Sequence, residues 1–173
     1  GNPDGEQWQV DFTFSDVNPP TGQLTKEQLD QWIRDNLNNP EDVAATWNSW
    51  SYDYPHMMDA FAYSVLEVFA TQKGVCREDA ITNAYMLNEM GYEAYAIAYA
   101  EPDTFHVTSI FKDKDGKWNM VEYNKVHQLE AESFEEALAE AMPATSNFWV
   151  WSNSQPDQRA YVEKIVRTRH GLQ

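Results

Sequence analysis

The apolar pattern of this chain predicts an α+β domain, with helices packed on a small antiparallel sheet. Helical spacing dominates up to about residue 91, short and alternating apolar runs fill roughly 94–123, and helical spacing returns after Ser133. The 173 residues suit one domain with a real core, and 42% apolar with 14% aromatic residues argue for a packed globule rather than a disordered chain.

Residues 1–23 read as an N-terminal extension in which Trp8, Val10, Phe12 and Phe14 alternate as a short strand. Asn18-Pro19-Pro20-Thr21-Gly22 breaks it, and residues 24–173 form a single domain with its core over about 57–125. Thr25 with Gln28 signals a helix start, and Leu29, Trp32, Ile33 and Leu37 make its buried stripe. A second helix starts at Pro40, with Val43, Trp47 and Trp50 on one face, and a third runs from Met57 to Phe69. Residues 51–55 are loop. A fourth helix starts at Cys76 and stops near Gly91. Strands follow over 94–100, 105–111 and 118–123, the last two joined by the hairpin turn Asp113-Lys114-Asp115-Gly116. Ser133 with Glu136 caps a further helix, whose wet face carries the acidic run Glu130 to Glu140. Phe148 to Trp151 read as an edge strand, and a last helix runs through Val162, Ile165 and Val166.

Twelve basic against 28 acidic residues give a net charge of −16, which disfavours nucleic acid and anionic membranes as partners and suits a basic substrate. No apolar run is long enough to span a membrane. The chain opens on Gly1 rather than Met, and its composition is acidic and tryptophan-rich. Both lean towards an extracytoplasmic location, periplasmic or secreted. His56, His127 and His170 lack metal-ligand spacing and no calcium loop is visible, so neither a metal nor a cofactor is expected.

Chemistry centres on Cys76, the single cysteine. A thiol at a helix start meets the positive end of the helix dipole, which favours thiolate. An activated cysteine needs a base, and the base needs an orienting group. His106 lies thirty positions on, in the second strand after the cysteine helix. A three-residue hairpin loop or a glycine bulge at Gly116 brings it near Glu122 or Asn124 on the returning strand. The Cys76 backbone N–H is one donor for an oxyanion; Gln72, Trp50 and Tyr54 are candidates for the second.

In order along the chain stand Gly74-Val75-Cys76-Arg77-Glu78-Asp79-Ala80, Leu87 and Met90-Gly91-Tyr92-Glu93-Ala94, Phe105-His106-Val107, and Gly116-Lys117-Trp118 with Glu122. Over roughly residues 60–125 this series resembles the transglutaminase-like cysteine enzymes. The resemblance implies a papain-like core, Cys76 as nucleophile and His106 as base. Glu122 takes the place where that family carries its orienting Asp, and Asn124 is the other candidate. Val107-Thr108-Ser109 departs from the aromatic that often follows the histidine. The activity implied is thiol-dependent acyl transfer on an amide or peptide bond, hydrolytic or cross-linking, by a monomer acting on a protein or peptide. The competing reading is a non-catalytic binding module on the same scaffold.

Overall fold

A computed structural model describes residues 16–100, 105–141, 147–151, 156–158 and 162–168. The strand expected over Trp8–Phe14 lies outside them. The elements are helices α1 (Lys26–Asn36) and α2 (Pro40–Ala45), strand β1 (Ser51–Tyr52), a 3-10 helix (Tyr54–Met58), α3 (Val65–Thr71), β2 (Lys73–Gly74) and α4 (Cys76–Glu89). Strands β3 (Glu93–Ala100), β4 (Phe105–Lys112), β5 (Trp118–Glu122) and β6 (Lys125–Ala131) follow, then α5 (Phe134–Ala141), β7 (Asn147–Trp151) and β8 (Val162–Thr168). The class is α+β, with an antiparallel sheet ordered β6-β5-β4-β3-β7-β8 and a separate parallel pair β1-β2.

Local chemistry sets the helix starts. Thr25 and Gln28 close a reciprocal capping box on α1, with contacts of 3.1 and 3.0 Å. Asn39 caps α2 ahead of Pro40, and Ser133 Oγ accepts the Glu136 N–H at the start of α5. The third helix starts eight residues later than the periodicity predicts, because Ser64 and Glu67 form a capping box at that point. Helix α2 is likewise shorter than expected: Trp47 and Trp50 follow it in turns, yet both are fully buried and stack edge-on.

Helix α4 is the central element. Residues Glu78 to Leu87 are all buried, so it has no wet face. Helices α1, α2 and α3 and one face of the sheet enclose it, through Leu29, Ile33, Val43, Phe69, Ala96, Val107 and Phe111. The small side chains of Ala94, Ala96 and Ala98 let α4 lie close to β3. The opposite sheet face, with Ile97, Ile110, Trp118 and Phe148, is covered by Ala137 and Leu138 of α5.

Two expectations are corrected on the sheet. Val162–Thr168 is strand β8, not a helix: its β-branched Val162, Ile165 and Val166 suit a pleat, and β7 offers a ladder to pair with. In consequence β7 is an inner strand rather than an edge. Strand β6 has no counterpart in the sequence reading. A bulge opposite Trp118–Met120 and a left-handed Glu130 (φ 53°) break its alternation.

The β4–β5 hairpin has the expected geometry. Asp113 N–H donates to the Lys117 carbonyl, leaving Lys114-Asp115-Gly116 as the loop, with Gly116 at φ +82°. That loop fixes the pairing of Lys112 with Trp118 and of Ser109 with Val121. An alanine at Gly116 is expected to cost about 1 kcal/mol, since only the backbone conformation resists a side chain there; denaturant unfolding of Gly116→Ala checks it.

Candidate active site

Cys76 is the first residue of α4 and is partly exposed. The chain reaches it by a forced route. Helix α3 ends on Gln72 in the left-handed region (φ 56°), and β2 then pairs in parallel with β1. Ser51 N–H donates to the Gln72 carbonyl at 3.0 Å, and Asp53 N–H to the Gly74 carbonyl at 2.9 Å.

Gly74 owes its identity to close approach. A Cβ built on it would stand 2.6 Å from the Glu78 Cβ. Glu78 cannot yield, because both of its oxygens are engaged and it is fully buried. One accepts the Val75 N–H at 2.9 Å, the return half of a capping box. The other meets the Tyr63 N–H at 2.8 Å, His56 Nε2 at 2.9 Å and Arg77 Nε at 3.3 Å. His56 Nδ1 lies 2.7 Å from Asp59, and its ring stacks on Tyr63. A charged cluster therefore backs the start of α4, with each buried member paired.

Asp79 faces the other way. It is fully buried, and both of its oxygens accept the Tyr123 N–H at 2.9 Å. Asn83 Nδ2 donates to it at 2.9 Å, and Asn83 in turn accepts from Trp47 Nε1 at 2.7 Å. Burial drives the Asp79 pKa well up, against the Tyr123 backbone bond that lowers it.

His106 and Glu122 come together across β4 and β5, and His106 Nε2 is bonded to Glu122 Oε1. Both side chains are largely covered, 30% and 22% exposed. Burial alone would lower the His106 pKa. Hydrogen bonds and charge from Cys76 and Glu122 outweigh it and raise the group to about 10. Glu122 moves the opposite way: burial pushes it up, but the bond to His106, its charge and that of His127 hold it below the ordinary carboxylate range. His106 and Glu122 thus meet although they lie on different strands, and Cys76 acts on the same ring through its charge. Tyr99 sets its ring edge-on to His106 at 5.6 Å.

Of the other sequence candidates, Asn124 is buried in the two-residue turn between Glu122 and Lys125. Gln72 is half-buried at the end of α3, four residues before Cys76. Trp50 is fully buried against Trp47 and Phe69 and belongs to the core. Tyr54 is 40% exposed and meets Tyr52 edge-on. Sequence reasoning missed Glu78, Asp79 and Tyr52. Tyr52 is raised to about 12 by burial and then by the neighbouring Cys76 charge. The spacing Val75-x-x-Glu78 was the available signal for Glu78, but valine at the cap position masks it. Among the described residues no group of three His, Cys, Asp or Glu side chains is arranged to hold a metal, and no helix is long and apolar enough to cross a membrane.

No family model matches the sequence, and no curated protein is similar to it. Solved structures do align. Legionella pneumophila LapG matches with TM-score 0.48 and 13% identity, over 83% of this chain and 90% of LapG. Calcium-bound LapG gives TM-score 0.49 and 15% identity, over 76% and 80% of the two chains. A Cytophaga hutchinsonii protein described as a candidate cysteine protease gives TM-score 0.46 and 16% identity over 79% of this chain. This chain spans 58% of that protein's length.

Gly74→Ala should destabilise the fold by about 1–3 kcal/mol, the range for overpacking, because the clash is with a side chain held at both carboxylate oxygens. The measurement is denaturant unfolding. A loss no larger than at Gly116 would mean that the first turn of α4 gives way.

Proposed function

We propose that this protein is a transglutaminase-like thiol enzyme that cleaves amide bonds in proteins or peptides, with Cys76 as nucleophile, His106 as acid and base, and Glu122 orienting His106. The observation that carries the reading is the bond of the His106 imidazole to the Glu122 carboxylate, on a ring whose pKa the single thiol and that carboxylate both raise. A raised His106 keeps its proton through neutral pH, which is the partner a thiolate needs.

The chemistry follows from those charges. The Cys76 thiolate adds to the substrate carbonyl carbon, and the carbonyl electrons move to oxygen. The Cys76 backbone N–H is one donor for that oxyanion. Valine at the helix N-cap supports this role: it supplies no side-chain oxygen to compete for the first-turn N–H groups. Gln72 is the candidate for the second donor. As the C–N bond breaks, imidazolium gives its proton to the leaving amine, and a thioester remains on Cys76. Water then attacks the thioester while His106 takes the proton. The acid is released, and the sulfur leaves as thiolate beside the restored imidazolium. An amine in place of water would give cross-linking by the same steps.

Glu122 holds Nε2, so Nδ1 is the nitrogen left to serve the sulfur. In this role Glu122 fixes the ring and stabilises imidazolium without itself taking the proton. The net charge of −16 favours basic or neutral substrate segments over acidic ones. We further propose an extracytoplasmic setting and a monomeric enzyme without a metal or cofactor.

Iodoacetamide alkylation of Cys76 across pH tests the reading. The wild type should react readily at pH ~6, well below the ordinary cysteine range of about 8.5. His106→Ala should be slower there by about 100-fold or more, on the scale of a lost acid–base partner. A thiol that stays inert until pH ~8.5, with or without His106, would instead favour a non-catalytic binding module.

A further inference from the structure

We propose that Asp79 is a positioning residue: its buried carboxylate, one helical turn beyond Cys76, grips the Tyr123 backbone and thereby holds the adjacent Glu122 against His106. The inference rests on the proposed roles of Cys76, His106 and Glu122.

The geometry is specific to this pair. Cys76 and Asp79 are three residues apart on α4, so they share one rigid turn. Both Asp79 oxygens accept the Tyr123 N–H at 2.9 Å. Tyr123 follows Glu122 directly and opens the two-residue turn into β6, where Glu122 pairs with Lys125. It does so at φ 53°, a left-handed conformation that a bulky residue adopts at a cost of about 1 kcal/mol or more. Tyr123 is also only 6% exposed, so its N–H needs an acceptor inside the protein. Asp79 supplies it and makes the left-handed turn the stable one. Through this bond the nucleophile's helix sets the end of the strand that carries the acid.

Asn83 and Trp47 make the grip stiff. Asn83 Nδ2 donates to Asp79 Oδ1, and its own oxygen is held by Trp47 Nε1. The charged groups around the relay are Glu122 and His106, which both act on Asp79, and His127 of β6, which acts on Glu122. Lys125 faces Glu122 across the turn. A carboxylate with two accepting oxygens can take the Tyr123 N–H on either atom; an amide offers only one.

The test is an NMR titration of the His106 ring in the full chain, assigned by difference with His106→Ala. Wild type, Asp79→Asn, Glu122→Gln and the double variant are compared, with thermal melting in parallel. Glu122→Gln should lower the His106 pKa by about 1–3 units through loss of the adjacent charge. Asp79→Asn should lower it by about 1 unit in the wild-type background and not at all in the Glu122→Gln background. Three results would overturn the proposal. A lowered melting temperature with an unmoved His106 pKa makes Asp79 purely structural. An equal shift in both backgrounds means that Asp79 acts by its own charge and not through Glu122. A wild-type His106 that titrates near its ordinary value removes the underlying site reading itself. If Asp79→Asn does not fold, Asn83→Ala loosens the same carboxylate and is read by the same criteria with a smaller expected shift.

Discussion

The first turn of α4 is largely buried and partly open at Cys76, and the molecule conforms to it. Three side chains leave that turn in different directions. Cys76 points to the partly open side, Glu78 goes into the His56, Tyr63 and Arg77 cluster, and Asp79 reaches the end of β5. Buried carboxylates are costly unless every oxygen is engaged, and here each one is. Such contacts add modest net stability, but removing any one partner leaves a charge stranded. That asymmetry ties the segments around the thiol to a single arrangement.

The same turn joins local order to chemistry. Gly74 has no side chain because the Glu78 stem occupies that space, and the β1–β2 pair with a left-handed Gln72 delivers the chain into it. On the sheet, a three-residue hairpin loop sets the register of β4 against β5, and that register brings Glu122 within reach of His106. Helix position and strand register are independent constraints, and the proposed relay needs both. The charges then reinforce one another: Cys76 and Glu122 hold the proton on His106 against the effect of burial.

Much of this could be read from residue order. The Thr25 and Ser133 caps, the Gly91 stop and the Gly116 hairpin are local signals, and each stands where the residues predicted it. The meeting of His106 and Glu122 was also legible, because strand alternation and loop length limit which residues can meet. What stayed hidden depends on partners distant in the chain. Val162–Thr168 carries helix-like spacing, and only β7 alongside makes it a strand. β6 lost its alternation to a bulge. Glu78 and Asp79 have the spacing of an ordinary acidic first turn, and nothing local announces that α4 is buried all round. Trp50, a candidate for the second oxyanion donor, is taken up by packing on Phe69.

The central proposal is that His106 activates Cys76 as a nucleophile. The most direct measurement is the ultraviolet absorbance of the thiolate followed against pH, as a difference between wild type and Cys76→Ser. The account predicts a thiolate signal already present at pH ~6 that disappears at that pH in His106→Ala. A signal that emerges only around pH 8.5, and does so equally in both proteins, would contradict it.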